Sequence, residues 1–69
     1  MINFKLGDSE YIELIKLLKY TNVCSSGGEA KMVVNEGEVK LNGKLESRKR
    51  AKLRLGDKIE VFDQIIIIE

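Results

Sequence analysis

The sequence predicts an α+β fold, with two N-terminal helices packed on a small, mostly antiparallel sheet. Three observations carry this. Apolar residues alternate with polar ones at the start of the chain and recur in short runs across its last third, as strands require. Between Glu10 and Glu36 the apolar spacing changes to three and four, the period of a helix with one buried face. Glycine, asparagine and aspartate then punctuate the second half at short intervals, the signal of tight turns. A chain of 69 residues allows one domain, 1–69, with a small core. Its 43% hydrophobic content argues against disorder.

Ile2, Phe4 and Leu6 alternate with Asn3 and Lys5, which predicts a first strand. Gly7-Asp8-Ser9 breaks it and offers capping side chains for a helix over 10–20. Tyr11, Leu14, Ile15 and Leu18 fall on one face of that helix, widened by Ile12 and Leu17. Thr21-Asn22 ends it. Ser26 with Glu29 three residues later has the spacing of a capping box, so a second helix is expected from about Gly27 to Glu36. Ala30, Val33 and Val34 form its buried stripe, and Gly37 is placed to close it in a left-handed conformation.

Val39-Lys40-Leu41 reads as a strand, followed by Asn42-Gly43, a strong hairpin signal. A two-residue turn sets Leu41 opposite Lys44 and a three-residue loop sets it opposite Leu45; the sequence leaves both registers open. Residues 47–51 read as an exposed loop. Leu53 and Leu55 lead into a turn at Gly56-Asp57, and two strands follow, Ile59 to Phe62 and Ile65 to Ile68, linked through Asp63-Gln64. Phe4 and Phe62 read as core. Four consecutive isoleucines suit a strand covered on both faces, or one crossing the sheet from core to edge.

Composition narrows the chemistry. There is no histidine, and the acids form no recognisable catalytic pair, so acid–base catalysis is disfavoured. Cys24 is the lone cysteine: it excludes an intrachain disulfide, offers no paired zinc ligands, and is expected to pack as a small hydrophobe. No metal and no cofactor is expected. Gly27-Gly28 lacks the lysine–serine pair of a nucleotide loop. No run approaches the ~18 apolar residues of a membrane span, and Met1 to Lys5 does not read as a secretory signal, so a cytoplasmic protein is expected.

Charge distribution is the most informative feature. Net charge is +1, yet residues 39–58 hold eight bases against two acids, a local +6, while the rest of the chain carries −5. Such asymmetry points to an anionic partner. Ser47-Arg48-Lys49-Arg50-Ala51-Lys52 follows a hairpin, so its charges should stand in fixed geometry; guanidinium groups then grip phosphate oxygens bidentately and lysines act as point charges. The start of the second helix adds free amides, with Lys31 nearby and Gly28 leaving room for a backbone to approach. Few exposed aromatics accompany the bases. Phosphate and shape recognition of structured RNA is therefore expected in preference to base stacking. The alternative is a protein–protein adaptor whose basic loop docks on an acidic partner.

Three segments, Cys24 to Lys31, Asn35 to Lys44 and Leu55 to Val61, together resemble the S-four (S4) RNA-binding domain, over about Tyr11 to Phe62. With the N-terminal strand and Glu46 to Arg50, the chain looks most like small stand-alone bacterial members of the YbcJ/YaaA kind. The resemblance implies the αL arrangement of two helices on a small sheet. It implies RNA contacts at Ser26, Lys31 and Lys44, and a basic patch at Arg48, Lys49 and Arg50. Many members carry arginine or lysine where this chain has Gly27, which implies either a lower affinity or a shift of contact toward Arg48 to Lys52. The expected function is non-catalytic binding of structured RNA, ribosomal or transfer, by a monomer associated with the ribosome or its precursors. The expected site is Ser26, Gly28, Lys31, Lys44, Arg48, Lys49, Arg50 and Lys52.

Overall fold

The computed structural model describes residues 1–69. In chain order the elements are β1 (Ile2–Phe4), β2 (Ile12–Glu13), α1 (Leu14–Tyr20), α2 (Gly27–Asn35), β3 (Val39–Leu41), β4 (Lys44–Leu45), β5 (Lys52–Leu53), β6 (Lys58–Val61) and β7 (Gln64–Ile68). A five-stranded sheet runs β1-β7-β6-β3-β4, and β2 and β5 form a separate two-stranded pair. All pairings are antiparallel except β1 with β7, where the chain returns to its own start. The expected class therefore holds.

Fifteen buried residues make one core cluster. Leu14, Leu17 and Leu18 of α1 and Ala30, Val33 and Val34 of α2 meet Val39, Ile59, Val61, Ile66 and Ile68 from the sheet. The isoleucine run becomes intelligible from strand order. β7 is an inner strand, with Ile66 and Ile68 buried and Ile65 and Ile67 half-buried on its other face. Register sets Lys58 beside Ile67 and Glu60 beside Ile65 on that face.

α2 follows the sequence closely. The Glu29 amide donates to Ser26 Oγ at 3.1 Å, the expected cap. The reciprocal half differs: the Glu29 carboxylate accepts from the Ser25 hydroxyl at 2.8 Å and the Ser25 amide at 3.3 Å, one residue earlier than a capping box requires. Gly37 adopts φ 76° just past the helix. At the hairpin Asn42 and Gly43 have φ 52° and 86°, the signature of a two-residue type I′ turn, and Leu41 pairs with Lys44.

Three expectations need correction. The first helix starts at Leu14, not near Glu10, because Ile12 and Glu13 pair in extended conformation with Leu53 and Lys52. Tyr11 therefore leaves the helix and is exposed. Phe62 is also exposed: the last hairpin turns at Phe62-Asp63, one residue earlier than expected, since Val61 pairs with Gln64. Finally, the 47–51 loop is not wholly exposed, for Ala51 is buried and Lys49 half-buried.

Candidate nucleic-acid interface

The basic loop is held by the first helix. α1 has no side-chain cap at Glu13. Its opening amides instead donate to the loop backbone, Leu14 N–H to the Ala51 carbonyl at 2.9 Å and Ile15 N–H to the Lys49 carbonyl at 3.2 Å. Free amides at a helix start need acceptors, and here the loop supplies them. The β2–β5 pair pins the same junction. A helix end thus fixes the path of the segment that carries the bases.

Two carboxylates orient two of the arginines. Glu46 is the one buried charged residue. Its Oε2 accepts from the Arg48 backbone amide at 2.9 Å and from Arg48 Nε at 3.1 Å, and its Oε1 accepts from Nη2 at 3.1 Å. These bonds, chiefly from the Arg48 side chain, hold the Glu46 carboxyl below the usual carboxylate range against the opposing effect of burial. Glu13 plays a similar part: its Oε2 accepts from Arg50 Nε at 2.9 Å, and its Oε1 lies 3.9 Å from Lys16 Nζ. Both guanidiniums remain mostly exposed beyond these contacts.

Lys31, Ser47, Lys49 and Arg50 line one cleft with Glu13 and Ile15. Arg48, Arg50 and Lys52 line a second, and Lys44 and Arg48 share a third. Arg50 joins the first two and Arg48 the last two. The structure thus brings six expected residues, Lys31, Lys44, Arg48, Lys49, Arg50 and Lys52, into one continuous strip. Lys31, Lys44, Lys49 and Lys52 have no carboxylate within salt-bridge distance. Ser26 and Gly28 line none of these clefts; Gly28 shares a helix face with Lys31, three residues on. A side chain at Gly28 would meet nothing closer than Ser26 Oγ at 3.9 Å, so its surface is open.

Sequence reasoning missed the orienting roles of Glu13 and Glu46. Glu46, two residues before Arg48, carried a local hint; the Glu13–Arg50 pair joins distant segments and carried none. It also missed that Lys52 Nζ and Arg54 Cζ sit 5.0 and 5.7 Å from the Tyr11 ring centroid. Cys24 is buried, and burial, with the Glu29 carboxylate adding, pushes its thiol up, away from nucleophilic use. No three potential ligands cluster to hold a metal. No helix is long and apolar enough to cross a membrane.

Two short helices on a mixed sheet, with a basic strip along one side, define a class of small RNA-binding domain. The family model described as the S4 domain matches residues 4–69, and the chain belongs to that family. It is 41% identical over 59 residues to YbcJ of Escherichia coli (strain K12), provisionally named an RNA-binding protein, covering 86% of this chain and 84% of the relative. The solution structure of YbcJ, described as revealing an αL motif involved in RNA binding, superposes with a TM-score of 0.77 at 35% identity, covering 99% of this chain and 86% of that one. RlbA of Bacillus subtilis (strain 168), provisionally named a ribosome maturation protein, is 41% identical over 54 residues, covering 78% of this chain and 76% of the relative. The S4e protein of the 30S ribosomal subunit from Thermoplasma acidophilum has a TM-score of 0.70 at 22% identity over 84% of this chain and 31% of its own, a likeness of fold alone.

Proposed function

We propose that this chain is a non-catalytic protein that binds structured RNA, ribosomal or transfer, along the strip of Lys31, Lys44, Arg48, Lys49, Arg50 and Lys52. Ser26 and Gly28 flank it at the start of α2. One observation carries the reading: Lys31 from the second helix and Lys49 and Arg50 from the loop line a single cleft. Cations from two separate elements at one concave site suit the irregular spacing of phosphates on a folded RNA. Membership of the S4 family supports RNA as the anion. The name of YbcJ supports RNA binding and that of RlbA a role in ribosome maturation. In this reading the chain acts as a single-domain monomer in the cytoplasm.

A competition experiment tests this. Purified protein is bound to a labelled RNA hairpin and challenged with unlabelled hairpin or with polyglutamate of equal total charge. The proposal expects RNA to displace the probe at far lower concentration. Equal displacement by polyglutamate would favour the acidic-partner adaptor instead.

A further inference from the structure

A fourth cleft shares Glu13 and Arg50 with the cleft that Lys31 lines. Phe4, Tyr11, Glu13, Lys16, Tyr20 and Arg50 are among its lining residues, and its volume is about 420 Å³. That falls within the roughly 300–1,000 Å³ typical of small-ligand sites. Its distinguishing feature is an exposed aromatic surface backed by a second ring. Tyr20 is 63% exposed at the end of α1. Phe4 of β1 backs it, with ring centroids 6.5 Å apart and planes only 14° from parallel. An exposed tyrosine with a near-parallel ring behind it offers a face on which a further planar group can stack.

The polar groups of the cleft suit a nucleobase. Glu13 presents carboxylate oxygens whose charge is balanced by Arg50 at 2.9 Å and Lys16 at 3.9 Å. Each oxygen keeps a lone pair for the N–H donors that an unpaired base carries on its pairing edge. Arg50 lines this cleft and both neighbouring basic clefts, so a strand tracking the strip passes the cleft mouth.

We propose that the cleft between β1 and α1 receives a single unpaired nucleobase of the bound RNA, stacked on Tyr20 with its edge toward Glu13. The proposal rests on the RNA reading above and adds to phosphate recognition a preference for RNA with an extruded nucleotide. A bulged base suits such a site because little pairing is lost on flipping it out.

The test compares two labelled RNA hairpins, identical except that one carries a single-nucleotide bulge, in binding to the parent, Tyr20→Ala and Tyr20→Phe. The parent should bind the bulged hairpin about five- to 150-fold more tightly, the span of one base–aromatic stack. Tyr20→Ala should erase that preference and leave affinity for the perfect hairpin unchanged, while Tyr20→Phe keeps it. Thermal melts establish that both variants fold; should Tyr20→Ala unfold, Tyr20→Leu takes its place with the same expectation. Equal binding of both hairpins by the parent, or a preference that survives Tyr20→Ala or Tyr20→Leu in folded protein, overturns the cleft and leaves the basic strip standing. Binding of neither hairpin overturns the RNA reading and the cleft with it.

Discussion

Glu46 shows how one residue can set the geometry of a binding loop. Its carboxylate is buried, and it accepts three hydrogen bonds from Arg48. Because the folded protein holds this carboxyl below its ordinary value of 4.5, the charged pair stabilises the fold above that pH. That contribution is lost as pH falls through the depressed value. Glu46→Gln should therefore be less stable than the parent at pH 7, and the gap should shrink on acidification to about pH 3. Urea unfolding at the two pH values checks this. For the same reason Arg48→Ala is a poor probe of RNA contact, since it strands a buried charge. Phe62 is a second residue with a testable cost. Its φ of 54° lies in the left-handed region that bulky side chains avoid, and the ring is mostly exposed. Phe62→Asn should raise stability by up to ~1 kcal/mol in urea unfolding.

At the scale of elements, α2 separates stability from binding. Ser26→Ala removes the acceptor for the Glu29 amide and should cost about 1 kcal/mol in urea unfolding. Gly28→Glu should act in the opposite sense on stability. It replaces a poor helix former, adds negative charge in the first turn and meets no obstructing atom. The variant should be as stable as the parent or more so, yet bind RNA more weakly, because its carboxylate faces the phosphates on the Lys31 side. Thermal melts paired with RNA titrations check both signs. Undiminished affinity would remove the start of α2 from the site. These contrasts also show what the sequence could express. The Ser26 cap, the Gly37 stop and the Asn42-Gly43 turn are local devices, written in adjacent residues, and the chain obeys them. The start of α1 is different: Tyr11 to Glu13 has helical spacing, but pairing with Lys52–Leu53 and the carbonyls of Lys49 and Ala51 decides where the helix begins. Such partners lie far along the chain, so no local pattern announces them. The 47–51 loop was legible as basic; of the carboxylates that aim its arginines, Glu46 left only a local hint beside Arg48 and the distant Glu13 left none.

On the scale of the whole molecule, a chain of net charge +1 gathers six of its twelve lysines and arginines along one strip. Six of the expected residues join into a strip because α1 anchors the loop beside α2. The Asn42 side chain helps by joining two turns: its Nδ2 donates to Asp57 at 3.0 Å, and its Oδ1 accepts from the Lys58 amide at 2.9 Å. The central claim is that cations from helix and loop engage RNA phosphates together. The most direct measurement is the salt dependence of RNA affinity for the parent and for the Lys31→Ala, Arg50→Ala double variant. Neither substitution strands a buried charge, since Lys31 is unpaired and Glu13 retains Lys16. With about four to six phosphates neutralised, log affinity of the parent should fall against log salt with a slope of roughly −3 to −5. The double variant should bind more weakly with a slope shallower by about 1 to 2. A parent slope near zero, or a folded double variant with the parent's slope and affinity, would contradict the account.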